Sequence, residues 1–426
     1  MKIKLLTITT VIILLICSSY DINALGVHDN IGKGDEQNNP KYVIDNPYQS
    51  VDWNKAKQIR STTHIHITDQ IGLNKASELG YLHLPVSNYY PSAPYYPIDQ
   101  IRENQFRVKQ DFGVVRVLDG EEPQYIEGPI DWNQIIMDEE TGWVDSLPKE
   151  MQLQLPFKLG DFIYKDIPNN IIFSPNAEHH SFANVSGNVH INAPGSLYSS
   201  GTFDARNRFK TYYGDDGAGY SYGVGLTWQD SFKKMFDQLL FEDGGGVTIN
   251  HPTWSKIEQS LIEEMLDFDS RVLGIEVLCQ GTWDLEMWDN VLKTGRRCLG
   301  FFVPDWGVQV DEVYKGFNVL LMNDFTEHNC LKAYKEGAFF GSENGGDLIF
   351  NEISLINDQL MVETNSTSTI TIVTDSGISK IEPDVTHTLY TIPSDRDNTP
   401  TIKYVRVEAE NEEERIFSQP IRFIIR

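Results

Sequence analysis

Two histidines separated by a single residue form the first part of the sequence that could do chemistry. His64 and His66 lie in the segment 63–69, where polar and apolar residues alternate as in a β-strand. Because side chains alternate across a strand, both imidazoles project from one face and the intervening isoleucines from the other. Asp69 adds a carboxylate where the strand ends. Two imidazoles and a carboxylate predict a divalent-metal site; the alternative is an edge strand whose histidines face solvent.

Further acidic and imidazole side chains stand in, or just after, other predicted strands. Short apolar runs at 171–173, 188–192, 247–251 and 299–303 each contain or lead to such a residue. Helices are predicted between several of these runs, an order in which a (β/α) barrel presents its site residues at one end. Nitrogen and oxygen donors without thiolate suit one to three ions of Zn, Mn or Fe. The candidate metal ligands are His64, His66, Asp69, Glu178, His190, His251 and Asp305.

The charge balance limits the partners that the protein can have. There are 35 basic and 61 acidic residues, a formal net charge of −26. Such a surface repels the phosphate backbone, so we expect no nucleic-acid binding. A small-molecule or phosphate-ester substrate is expected instead.

The first 24 residues predict export. Residues 1–24 combine a basic start, an apolar run and a polar end, as a secretory signal peptide does. That run is too short to span a bilayer comfortably and no later stretch is long enough, so we expect no stable membrane span in the mature form. The expected location is secreted, or periplasmic or otherwise extracytoplasmic. Cys279, Cys298 and Cys330 remain after cleavage, and without a CxxC spacing they are expected to be buried.

Composition and texture divide the rest of the chain into three segments. Residues 25–50 are polar and predict a flexible leader. Residues 51–346 hold the strand and helix signals and all candidate ligands, which predicts the (β/α) barrel. In residues 347–426, short β-branched runs alternate with turn residues, as in a small antiparallel β-sandwich. The predicted fold class is therefore α/β, a barrel followed by an all-β sandwich.

In this order, the motifs resemble those of the polymerase-and-histidinol-phosphatase (PHP) family. That family opens with His-x-His on its first strand, continues with a Glu and a later His, and then has Gly-Gly and an apolar run ending in His-Pro. The resemblance covers residues 55–345. The matching positions are His64 and His66, Glu178 and His190, residues 245–252, residues 275–277, and Asp305.

The resemblance implies a distorted (β/α)7 TIM-like barrel with a metal cluster that hydrolyses phosphate esters. Glu178 would bridge two metals, which activate a shared water for in-line attack on phosphorus. His251 and Asp305 are the implied catalytic residues, either as ligands or as donors of a proton to the leaving oxygen. Asn88 and Gly307 depart from the family, because they stand where it has histidines.

The sequence therefore predicts an exported metal-dependent phosphoesterase and leaves two alternatives. The first is a degenerate barrel that binds metal or ligand without hydrolysis, as the replacements Asn88 and Gly307 would allow. The second is hydrolysis of a non-phosphate bond, since a fold does not determine its substrate. Glu276, inside an apolar strand, is expected either to support a metal ligand or to form a buried ion pair.

Overall fold

The structure is a computed structural model. It describes residues 41–67, 70–87, 114–116, 124–126, 166–180, 182, 184–185, 189–196, 227–308 and 314–425. The predicted signal peptide at 1–24, the leader up to residue 40, Asp69 and Asn88 lie outside the described residues.

The described helices and strands alternate irregularly along the chain. The helices are α1 (Gln70–Glu78), α2 (Trp228–Asp237), α3 (Pro252–Ser255), α4 (Gln259–Phe268), α5 (Leu285–Lys293) and α6 (Glu327–Glu336), with a 3-10 helix at Trp306–Val308. The first ten strands are β1 (Tyr42–Asp45), β2 (Lys57–Ser61), β3 (His83–Leu84), β4 (Val114–Arg116), β5 (Gln124–Ile126), β6 (Ile172–Phe173), β7 (Glu178–His180), β8 (His190–Asn192), β9 (Val247–Ile249) and β10 (Val272–Cys279). The others are β11 (Thr282–Trp283), β12 (Leu299–Val303), β13 (Phe317–Met322), β14 (Phe339–Ser342), β15 (Phe350–Ile356), β16 (Gln359–Thr374), β17 (Gly377–Thr391), β18 (Tyr404–Glu410), β19 (Arg415–Ser418) and β20 (Ile421–Ile425).

The predicted (β/α)7 TIM-like barrel is wrong. Strands make up 40% of the described residues and helices 21%, in mixed sheets without barrel closure among those residues. One sheet of twelve strands follows the order β1-β20-β18-β19-β14-β13-β2-β3-β6, with β15, β16 and β17 attached beside it. A second sheet follows β11-β10-β9-β8-β7, with β12 paired to β10.

The prediction failed because the sequence pattern identifies strands but not the direction in which they pair. Strands β2, β3 and β6 run parallel, and so do β9, β10 and β12. Strands β7 and β8 run antiparallel, because their connection at 181–189 is shorter than the dozen or more residues that a parallel crossover needs. Strand β13 is also antiparallel to both β2 and β14.

The C-terminal strands extend the larger sheet. Strand β19 pairs with β14, and β20 pairs with β1 from the beginning of the described chain. The all-strand texture of this region agrees with its short β-branched runs, but the predicted separate β-sandwich is wrong, because these strands belong to the same twelve-stranded sheet as β13 and β14. The predicted boundary between 346 and 347 stays a prediction. Among the described residues, no helix is both long and apolar enough to cross a membrane. The three predicted buried cysteines, Cys279, Cys298 and Cys330, are buried and form no disulfide.

A buried ion pair fastens the C-terminal strands to helix α5. Arg406 on β18 is 2% exposed, and its Nε and Nη2 donate to the two carboxylate oxygens of Asp289 at 2.8 and 2.9 Å. The Tyr404 hydroxyl donates to the same carboxylate at 3.1 Å. The guanidinium also lies over the Trp288 ring, 5.0 Å from its centroid. Removal of Arg406 would leave the Asp289 carboxylate, whose side chain is 23% exposed, without both of its guanidinium hydrogen bonds.

We therefore expect Arg406→Ala to lower the free energy of unfolding by about 3 kcal/mol, as for other broken buried pairs. Arg296→Ala is the matched control, since Arg296 also binds an Asp carboxylate through two nitrogens, but Asp267 is 57% exposed. The control should lose less than about 1 kcal/mol. Urea unfolding followed by circular dichroism measures both, and equal losses would contradict a special role for the buried pair.

Candidate metal centre

His64 and His66 lie just beyond β2, where the chain meets Asp305. The His66 amide donates to the Asp305 carbonyl, and the Asp305 amide donates to the His64 carbonyl, both at 3.1 Å. This parallel bridge keeps residues 63–67 extended, although the regular strand ends at Ser61. The intervening isoleucines pack into a separate apolar cluster. Both imidazoles are fully buried, so the alternative of solvent-facing histidines is wrong.

Four buried donor atoms converge beside this bridge. His64 Nε2 lies 3.1 Å from His66 Nε2 and 3.3 Å from Glu178 Oε2. Asp305 Oδ1 lies 3.0 Å from the first imidazole nitrogen and 3.1 Å from the second. His66 Nε2 and Glu178 Oε2 are 2.9 Å apart. A tetrahedron around a metal with ligand bonds of 2.0–2.1 Å has edges of about 3.3–3.4 Å, so the group has nearly the size of one four-coordinate site.

The chemistry of the two imidazoles also fits a cation at the centre of this group. With neutral imidazoles, the 3.1 Å separation of His64 Nε2 and His66 Nε2 favours at least one of them presenting its lone pair. The other two donors are carboxylate oxygens, which can only accept. The His/Glu/Asp groups therefore lie within metal-ligand distance of one another, all of them buried.

Glu178 belongs to a second group of donors through its other oxygen. Glu178 Oε1 accepts from His190 Nδ1 at 2.7 Å and lies 3.6 Å from His251 Nε2. These three residues form a separate buried group of metal-ligand size. Asn250 Nδ2 adds a hydrogen bond of 3.4 Å to the same oxygen. One carboxylate therefore faces both groups, the arrangement of a residue that bridges two metal ions.

Glu276 orients the ligands from behind. Its Oε1 accepts from His64 Nδ1 at 2.8 Å, which places the hydrogen on Nδ1 and directs Nε2 towards the four-donor group. A carboxylate behind a ligand histidine is the usual support for a metal-binding imidazole. Its Oε2 accepts from the His251 backbone amide at 2.8 Å. The interpretation of Glu276 as part of a buried ion pair is confirmed, while its support of a metal ligand stays a prediction.

Two of the candidate ligands sit on strained backbone. His251 has a φ of 25° and Asp305 a φ of 51°, in a region that residues with a side chain seldom occupy. The Glu276 bond to the His251 amide and the bridge at residues 64–66 hold these conformations. Gln280 Nε2 donates to Asp305 Oδ2 at 2.7 Å, which leaves Oδ1 directed at the imidazoles. Such strain is typical of functional sites.

Burial and the neighbouring charges shift the pKa values of this cluster in opposite directions. Burial alone would lower the pKa of His64, but the charges of Asp305, Glu178 and Glu276 outweigh it and raise that pKa well above its ordinary value. The pKa of His66 is raised by the balance of the same two effects, burial against the hydrogen bonds and charges of Asp305 and Glu178. Burial would raise the pKa of Asp305, yet the two histidines hold it below its usual range. In the absence of a metal, the acids therefore draw protons onto the imidazoles.

Asn176 ties together the segments that carry these groups. Its Nδ2 donates to the Thr63 carbonyl at 2.8 Å and to the Pro85 carbonyl at 3.0 Å. Its Oδ1 accepts from the amides of Ala177 and Ala193, both at 3.0 Å. The side chain is 3% exposed and uses four hydrogen bonds. It thus fixes the approach to the histidine pair relative to β7 and β8, which carry the Glu and His ligands.

Other predicted positions fall outside the cluster. Asp69 and Asn88 are not among the described residues. Gly307 has no room for a side chain, because a Cβ there would lie 2.8 Å from both the Cβ and the carbonyl oxygen of Tyr314. The neighbouring Trp306 stacks on His66 instead, with ring centroids 4.1 Å apart and planes 7° apart. At the position where the resemblance to the PHP family predicts a histidine, the structure therefore has a glycine beside an aromatic wall.

Sequence reasoning missed Asn176 and Gln280, and it left the role of Glu276 open. The only sequence signal for Glu276 was an acidic residue in an otherwise apolar strand. Comparisons of the chain with protein-family models, with curated proteins and with solved structures find no match.

We expect Asn176→Ala to lower the free energy of unfolding by about 3 kcal/mol or more, because buried carbonyls and amides lose their partner at about 1–3 kcal/mol each. Asn184→Ala is the control, since Asn184 makes two side-chain hydrogen bonds at the surface. It should lose about 1 kcal/mol or less. Chemical denaturation tests both, and an Asn176→Ala protein as stable as the control would contradict this role.

The raised histidine pKa values predict how stability depends on pH. A group whose pKa is raised on folding stabilises the fold below its unfolded value of about 6.5 and loses this effect as the pH rises through the folded value. The metal-free protein should therefore melt at progressively lower temperature between about pH 7 and 9. Because protons compete with metal for the same imidazoles, zinc affinity should rise over the same range, between about pH 7 and 9, with release of protons.

Thermal melting of chelator-treated protein and calorimetry in two buffers of different ionisation enthalpy measure these effects. A melting temperature that is constant above pH 7, or zinc binding without proton release, would contradict the pKa assignment.

Proposed function

We propose that this chain is a metal-dependent hydrolase, related to the PHP family, that cleaves a phosphate ester with water. The observation that carries the proposal is the position of Glu178, whose two oxygens face two separate groups of buried donors. Two-metal hydrolases need such a bridge, because it sets the two ions close enough to act on one substrate. The order of the sequence motifs supports the same family.

The donors favour two divalent ions of the Zn, Mn or Fe type. Imidazole and carboxylate without thiolate suit these metals. His64, His66, Glu178 and Asp305 would hold one ion, while His190 and His251 would join Glu178 around the other. Glu276 would keep His64 in the tautomer that binds metal.

Bound ions of this type would polarise a phosphoryl oxygen and lower the pKa of a water towards neutrality. The chain's own residues would place the substrate. Glu178, His64 and His66 are at most 1% exposed, whereas His190, His251 and Asp305 are 4–8% exposed. The substrate would thus approach from the side of these last three residues.

The geometry also favours different roles for the two implied catalytic residues. Asp305 is engaged through both oxygens, one with the imidazoles and one with Gln280, as befits a ligand. His251 has its Nδ1 at 2.9 Å from the Ser255 hydroxyl and its Nε2 directed at Glu178. His251 is therefore the better candidate to donate a proton to the leaving oxygen, either as a free imidazole or after it leaves a position as metal ligand.

A binding protein without hydrolysis is the second candidate. It is favoured by Gly307, where Tyr314 fills the space that a further imidazole would need. Hydrolysis of a non-phosphate bond by the same ions is the third. Both alternatives keep the same proposed metal centre and differ in what is bound or hydrolysed there. Export of the chain, which we also propose, is compatible with all three.

The test compares Glu178→Gln with Glu264→Gln, an exposed acid on α4. Wild type and control should bind about two metal ions and hydrolyse phosphomonoesters or phosphodiesters, while Glu178→Gln should bind at most one ion and lose about 100-fold in kcat/KM. Metal content by mass spectrometry and a panel of esters give both values.

Wild-type protein that binds metal without turning over any ester would favour the binding alternative. Wild-type protein that binds no metal at all would contradict both the hydrolase and the metal-binding alternative.

A further inference from the structure

An exposed tryptophan stands at the outer edge of the second donor group. Trp254 is 59% exposed, whereas Trp228 and Trp288 are almost fully buried. Its ring meets the His251 ring edge to face, with centroids 4.9 Å apart and planes 81° apart. It meets the His190 ring in the same way, at 5.2 Å and 63°. Trp254 therefore flanks the two candidate ligands on the side from which a substrate would approach.

The backbone around Trp254 is firmly held, so its exposure is not that of a loose loop. Trp254 lies in α3, which begins directly after His251. The Ser255 amide donates to the His251 carbonyl at 3.0 Å, and the Ser255 hydroxyl is bonded to the His251 ring. On the other side, the hydroxyl and amide of Thr253 donate to Asp284, which is 4% exposed. The ring is thus presented to solvent in a fixed position relative to the donors.

Among the described residues of the centre, the charged groups are engaged with one another, so Trp254 is the main group that could bind the non-reacting part of a substrate. Within the described residues, Glu276 and Asp305 form ion pairs with histidines, and those histidines face the donor groups. Bound cations would take the anionic group. An aromatic face is then the feature that remains for the rest of the substrate, and a planar ring stacks on tryptophan with useful affinity.

We propose that Trp254 is a specificity-determining residue that stacks against a planar ring in the alcohol part of the substrate, an aryl or nucleoside phosphate ester. The proposal rests on the proposed function and names its substrate class. In the reaction, the oxygen of water bonds to phosphorus, the bond from phosphorus to the ring-bearing alcohol oxygen breaks, and a proton from the water ends on that alcohol. Trp254 takes no part in these bond changes and holds only the leaving group.

Binding of two phosphonates to the zinc-loaded protein tests the proposal without any hydrolysis. Phenylphosphonate and methylphosphonate present the same anionic group, and only the first has a ring. Calorimetry on wild type should give an affinity about tenfold higher for the phenyl compound. Trp254→Leu keeps apolar bulk against the histidines but has no aromatic face, so the preference should fall to about twofold; Trp254→Phe should keep most of it.

Ile378→Ala is the control, since Ile378 is a 65% exposed apolar side chain on β17, and it should leave the preference unchanged. The proposal is overturned if wild type shows no preference for the ring or if Trp254→Leu keeps the full preference. Loss of zinc from Trp254→Leu would also overturn it, because the ring would then serve to hold the histidines. A ring preference without turnover of any ester would leave the inference standing while the proposed hydrolysis fails.

Discussion

The structure depends most on the burial of three carboxylates at one point. Glu178, Glu276 and Asp305 are between 0 and 8% exposed, and an isolated ionised carboxylate away from water is highly unfavourable. Their charge has to be balanced by protons on neighbouring imidazoles or by bound cations. His64 and His66 lie against these acids for this reason, and their raised pKa values express the same demand. A divalent ion would meet it without protonation of the candidate ligands, and metal binding would then stabilise the fold of this region.

The fold maintains this arrangement with local strain and with hydrogen bonds that reach across segments. His251 and Asp305 adopt positive φ, which costs about 1–3 kcal/mol per residue. At His251, Glu276 compensates for the strain by accepting a hydrogen bond from the backbone amide. At Asp305, the backbone hydrogen bonds to residues 64 and 66 do the same. Asn176 supplies a further constraint, since its side chain joins its own neighbour Ala177 to backbone positions in three other segments. The ligands are therefore placed by polar contacts of the backbone as much as by apolar packing.

The sequence could predict much of the candidate site and less of the fold. His64, His66, Glu178, His190, His251 and Asp305 converge as predicted, because a polar residue at the end of an apolar run has few places to go except the edge of a sheet. The barrel was wrong, because the apolar runs carry no information on pairing direction, and β7 and β8 turned out to be antiparallel. The role of Asn176 could not be predicted, because an isolated Asn close to a Glu is common in ordinary turns and does not indicate which backbone groups it will bind.

The aromatic residues around the centre make its two sides unequal. On the side of His66, Trp306 stacks on the imidazole, and Tyr314 fills the space that a side chain at Gly307 would need. On the side of His251, the tryptophan is exposed and meets the ligand edge to face. Among the described residues, stacked rings therefore cover the His66 side of the candidate centre, and the side that carries Trp254 is the more exposed one. A side chain at position 307 would collide with Tyr314, so the close approach of Tyr314 and the stacking of Trp306 on His66 both depend on the short 3-10 helix at Trp306–Val308.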